Sequence, residues 1–159
     1  HPRRAEPVLA VTNHFEGPLA MDPANRQIEA VTSTRPRRIR LDELLSNLPG
    51  GASVEQIVGV LRDRKGVGGA PLPLGNRRSI DALIATHSVV MDATARVLWV
   101  SEGPHLVGRY LRFDLARLLD PAFTPSPSDP LVEIPADPIL TNGAYQAWIE
   151  AGSPHKGEP

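Results

Sequence analysis

A chain of 159 residues has the length of one domain, and 41% hydrophobic with 22% charged residues is enough to bury a core. Its formal net charge of -1 provides no general field for DNA, RNA or an anionic membrane, and its apolar runs, such as Val97-Leu98-Trp99-Val100, are far too short to span a bilayer. There is no cysteine, which excludes disulfides, thiolate metal sites and a cysteine nucleophile within these residues.

The chain starts at His1, and no basic segment with an apolar stretch follows, so its start does not read as a signal peptide. Such a beginning is expected of a chain that was processed or cut from something longer. Residues 7–12 are apolar and partly β-branched and read as a buried strand that runs out at Asn13-His14-Phe15. Residues 16–26 hold Gly17, Pro18 and Pro23 and read as a loop, and residues 27–32 as a short strand. Leu41, Leu44, Leu45 and Leu48 make one apolar stripe, which predicts a helix over residues 40–48, stopped by Pro49-Gly50-Gly51.

A second helix starts at Ser53, with Gln56 three residues on as a capping box and Val54, Ile57, Val58 and Leu61 as its inner face. The tight break between the two helices predicts an antiparallel pair. Residues 65–78 are rich in Gly and Pro and read as a loop. Residues 83–91 and 96–101 read as a hairpin joined by Asp92-Ala93-Thr94-Ala95. A third strand is expected over residues 105–112, with Phe113, Leu115, Leu118 and Leu119 leading into a short turn or helix. Residues 121–138 are Pro-rich and are expected to wrap the surface, and Thr141 or Asn142 caps a final helix through Trp148. The tail after Gly152 is polar. Helices followed by sequential antiparallel strands define an α+β class.

Few residues combine into chemistry. The histidines His1, His14, His87, His105 and His155 neither pair at i and i+4 nor cluster with acids, so no metal is expected. Gly66-Val67-Gly68-Gly69 lacks both a preceding strand and a Lys-Ser/Thr ending, so no phosphate-bearing cofactor is expected. The basic run Arg35-Pro36-Arg37-Arg38-Ile39-Arg40 admits three readings. It is a solvated helix entrance, a nucleic-acid patch, or the source of one inward Arg that orients a carboxylate or a carbonyl. At 4% aromatic the chain argues against the second. Asn13, where an apolar run ends, is either an Asx-turn residue or an amide whose NH2 meets a developing oxyanion. Position alone favours the turn.

Val11-Thr12-Asn13-His14-Phe15 resembles the Thr-Asn-His segment of the penicillin acyltransferase, or isopenicillin-N acyltransferase-like, family. Thr34-x-x-Arg37-x-x-Arg40-Leu41-x-x-Leu44-Leu45 is similar to its Ser-x-x-Arg-x-x-Arg lead into a helix. Ala85-Thr86-His87-Ser88-Val89-Val90-Met91-Asp92 with Leu98-Trp99-Val100-Ser101-Glu102-Gly103-Pro104 resembles its late hairpin, and Gly108-Arg109-Tyr110-Leu111-Arg112-Phe113-Asp114 its following strand. The likeness covers about residues 8–119.

The resemblance implies part of an N-terminal-nucleophile αββα sandwich with antiparallel sheets. Residues 1–120 would be the C-terminal part of one such domain, and residues 121–159 a Pro-rich wrapping tail with a short terminal helix. Such enzymes cleave themselves to expose a cysteine whose thiol attacks an amide or thioester and whose own α-amino group is the base. Asn13 matches the oxyanion-hole asparagine. The family's functional arginine falls on the stretch at residues 79–83, where the nearest arginines are Arg77 and Arg78, a few residues earlier.

Since the chain has no cysteine, the nucleophile is expected upstream or on a partner chain. The implied activity is that of an autoproteolytic amidohydrolase or acyltransferase acting on a small-molecule acyl substrate. It needs no cofactor, metal, nucleic acid or membrane, and these residues alone would be inactive. The competing reading is a catalytically silent binding or interaction domain on the same fold. A more distant one is a nucleic-acid module using residues 35–40.

Overall fold

The computed structural model describes residues 8–126, 129 and 131–154. Four strands form one antiparallel sheet in the order of the chain: β1 (Val89–Asp92), β2 (Val97–Ser101), β3 (Tyr110–Asp114) and β4 (Glu133–Ile134). The β1–β2 turn closes on polar chemistry. Asp92 Oδ1 accepts the Ala95 N–H at 2.8 Å, and Arg96 takes a left-handed φ of 55° that carries the chain back into register. Val89 then faces Val100, Leu98 faces Phe113, and Tyr110 faces Ile134.

Because strand side chains alternate, this register sorts the sheet into two faces. Val90, Val97, Trp99, Tyr110 and Ile134 share one. Helix α3 (Val54–Leu61) lies on it, packing Val54 and Val58 into that core. The other face carries Val89, Met91, Leu98, Val100, Leu111 and Phe113, all apolar. Glu133 joins them beside Leu111, and the face is partly open: Met91 is 73% exposed, Val89 and Phe113 are exposed, and Leu98, Val100 and Leu111 are half-buried.

A second core forms from Leu83, Val107 and Trp148, with Leu74, Ile139, Leu140 and Tyr145 against it. Trp148 comes from α5 (Ala144–Glu150), and its indole N–H donates to Pro154 O at 3.0 Å. The ring lies so close to Gly75 that a Cβ there would meet it at 2.8 Å, and Gly75 has φ +84°. Only glycine meets both demands.

Two arginines after α3 knit the cores together. Arg62 donates to the carbonyls of Leu106, Gly108 and Pro135 and lies over the Tyr110 ring. Arg64 bridges Asp81 at 2.8 Å and Asp137 at 2.9 Å. Asp81 is buried, and its carboxylate also accepts the N–H of Leu83, which holds a left-handed φ of 51°. Burial pushes the Asp81 carboxyl up, against the pull of Arg64. At Asp137 burial acts the same way, but hydrogen bonds from Arg64 and the Ile139 N–H outweigh it and hold that carboxyl down.

The structure departs from the sequence reading mainly before residue 50. Residues 8–12 form no strand; Val8, Leu9 and Val11 are exposed and only Ala10 is buried. The region read as a loop and a strand is a short 3-10 helix at Gly17–Met21 followed by α1 (Pro23–Val31). Asp22 caps α1, accepting the Ala24 N–H at 2.8 Å, and Pro23 sits at its first position, where a missing N–H costs nothing. Helix α2 spans Thr34–Ser46, starting earlier than the leucine stripe, because Pro36 falls in its first turn and is tolerated there.

In α3 the capping box is complete, with Ser53 accepting from Gln56 N and Gln56 accepting from Ser53 N. Its buried residues are Val58 and Val60; Ile57 and Leu61 are only half-buried. The third strand begins at Tyr110 and leads directly into α4 (Leu115–Leu118), as expected of that run. The Pro-rich stretch at residues 121–138 supplies β4, which pairs with β3. Residues 155–159 of the polar tail lie outside the described residues.

Candidate functional site

Asn13 belongs to an irregular segment that is nevertheless held residue by residue. Its side-chain oxygen accepts from the Arg37 guanidinium of α2 at 2.8 Å. The next residue, His14, has a side chain only 8% exposed, and its Nδ1 is 3.0 Å from both Thr34 Oγ1 and Thr12 Oγ1. After it, Phe15 is clamped by Asn25 of α1: the Phe15 N–H donates to Asn25 Oδ1 at 2.6 Å, and Asn25 Nδ2 donates back to Phe15 O at 3.1 Å. Asn25 is buried, and its amide also donates to Ala20 O and Glu29 Oε1. Three successive residues are thus tied to two helices, which fixes the backbone that carries Asn13.

The Arg37 bond also fixes which way the Asn13 amide is turned. A guanidinium can only donate, so the atom it faces must be the amide oxygen. The NH2 therefore occupies the other branch of a planar group on an exposed residue. That is the geometry of a preset hydrogen-bond donor.

The electrostatics around it are positive. Burial takes the Arg37 guanidinium below its ordinary pKa, and the charge of Arg77 acts in the same direction. The charge of Arg77 therefore acts on the guanidinium that holds Asn13. Arg78 differs: it is exposed, and its backbone N–H donates to Asn76 Oδ1 at 2.9 Å as part of a turn. The inward arginine anticipated within residues 35–40 is Arg40, which holds the Asp63 carboxylate at 2.8 Å, whereas Arg37 orients a side-chain amide. Sequence reasoning gave no sign of Asn25 or of the Thr34–His14 contact. Asp22-Pro23, a helix start, was the available signal for the first.

Among the described residues no group of three or more His, Asp or Glu side chains converges to hold a metal ion, and no helix is long and apolar enough to cross a membrane. The protein is of the mixed α+β class, with helices and a four-stranded antiparallel sheet. Compared with family models, curated proteins and solved structures, the chain matches none.

Proposed function

We propose that this chain is the downstream portion of an autoproteolytic cysteine N-terminal-nucleophile amidohydrolase or acyltransferase, with Asn13 as its oxyanion donor. The observation that carries the reading is the Arg37–Asn13 bond, which turns the amide NH2 outward from a rigidly held segment. The partly open sheet face supports the finer fold assignment. A face dominated by apolar side chains is what a second sheet packs on at about 10 Å in a sandwich.

In this scheme the cysteine comes from the upstream part of the domain or from a partner chain, and its α-amine takes the thiol proton. The thiolate adds to the acyl carbonyl, and the oxygen that gains charge accepts from the Asn13 NH2. Collapse expels the amine or thiol, which leaves with the proton, and the thioester acyl group then passes to water or an acceptor amine.

The test is Asn13→Ala in the complete protein, folding being followed by circular dichroism. Loss of one such donor lowers turnover by about a hundred- to a thousandfold. Asn13→Asp should do no better, since a carboxylate repels the developing charge. A folded Asn13→Ala protein with near-normal turnover returns Asn13 to a turn residue.

A further inference from the structure

Helix α2 carries four arginines, and three of them meet carboxylates. Arg35 pairs with Glu29 at 2.9 Å, Arg38 with Asp42 at 3.0 Å and also with Glu16, and Arg40 with Asp63 at 2.8 Å and Glu43 at 3.1 Å. Arg37 is the exception. Among the described residues no carboxylate pairs with it; its side chain donates to the neutral Asn13 amide, and its Nε is enclosed with no acceptor. A cation partly withdrawn from water with an unused donor is costly, and a second guanidinium nearby adds to the cost. A carboxylate that reaches the guanidinium's terminal N–H groups would offset its charge.

We infer that Arg37, in contact with the Asn13 amide, recognises a carboxylate carried by the ligand. The planar fork of a guanidinium suits a carboxylate held by two parallel bonds. A doubly charged phosphate is disfavoured there, because Glu16, Glu29 and Asp42 already surround the same helix. The placement of that carboxylate rests on the function proposed above: Arg37 and Asn13 are in direct contact, so the acid group belongs to the substrate close to its acyl carbonyl. The recognition itself stands on Arg37 alone.

The experiment compares N-octanoylglycine with its neutral counterpart N-octanoylglycinamide in the complete protein, reading binding by calorimetry and turnover separately. Wild type should bind the acid about ten- to a hundredfold more tightly than the amide, the range expected of a charge-assisted pair. Arg37→Gln, which keeps a donor for Asn13, should bring the two to parity. Arg37→Lys should restore only part of the preference, since an ammonium lacks the fork. If Arg37→Gln does not fold, Arg77→Gln and the wild-type ratio carry the decision. Equal binding of acid and amide by wild type overturns the inference, as does a preference that survives both glutamine variants. Equal binding together with a lower melting temperature of Arg37→Gln assigns the missing carboxylate to the protein itself, which also overturns it. Arg37-dependent acid binding without turnover of either compound sinks the catalytic reading and leaves this one standing. Turnover of both without preference does the reverse.

Discussion

Replacing Arg64 with Met should be among the most damaging single changes in this protein. Among the described residues Arg64 is the cation that forms ion pairs with both Asp81 and Asp137, and the Asp81 side chain is only 1% exposed. Met matches the length of the arginine stem but leaves two enclosed carboxylates without their hydrogen-bonded cation, with only the more distant charge of Arg62 to offset them. Breaking a buried pair in this way costs about 3–5 kcal/mol near neutral pH. With a urea m-value of about 2 kcal/mol/M, the unfolding midpoint falls by about 1.5–2.5 M. The loss should depend on pH with a definite sign. Burial already raises the Asp81 carboxyl in the folded protein, and without Arg64 it rises further. A carboxyl raised on folding is stabilising only when protonated, so its penalty is absent below its unfolded pKa of about 3.9 and grows as pH rises through the folded value. The variant's deficit should therefore shrink from pH 7 towards pH 5, by up to about 1.4 kcal/mol per pH unit for each carboxyl. Adding Asp81→Asn to Arg64→Met should recover stability at neutral pH. Urea unfolding at several pH values measures all of this. A deficit below about 1 kcal/mol, or one flat with pH, would show that the carboxylates find other compensation and refute the argument.

Gly108→Ala should destabilise more than Gly75→Ala, because a Cβ at 108 meets the Glu102 backbone oxygen at 2.2 Å whereas one at 75 meets the Trp148 ring at 2.8 Å; thermal melts rank the two, and a loss under about 1 kcal/mol at 108 contradicts the clash. Ser53→Ala removes half of the α3 capping box and should cost about 1 kcal/mol in chemical denaturation. Asn25→Ala strips the clamp from Phe15; it should cost about 2–3 kcal/mol and speed hydrogen exchange at the Phe15 N–H, which unchanged protection would disprove.

The hairpin expected over residues 83–91 and 96–101 was legible because β-branched runs flank a polar turn, although its first strand is only Val89–Asp92 and residues 83–88 form no strand; α3 was legible because its capping box is a purely local device. The region before α2 misled for physical reasons. Val8, Leu9 and Val11 have strand composition, but no strand among the described residues pairs with them, and composition cannot supply a partner. The leucine stripe placed the helix start at residue 40, whereas α2 begins at Thr34 with Pro36 in its first turn. Asn13 was legible as a candidate; the arginine that turns its amide lies 24 residues away in sequence and became visible only in three dimensions.

Met91 makes the partly open sheet face a record of the protein's history. Its thioether is 73% exposed amid apolar neighbours, so it is open to oxidants until something covers it. The sulfoxide is polar and chiral, and it would spoil the face for any apolar layer. Protein whose face is covered soon after synthesis should keep a reduced Met91, whereas protein left waiting should accumulate the sulfoxide and lose its fit for the covering layer. The mass of one peptide would then report how long the face had stood open to oxidants.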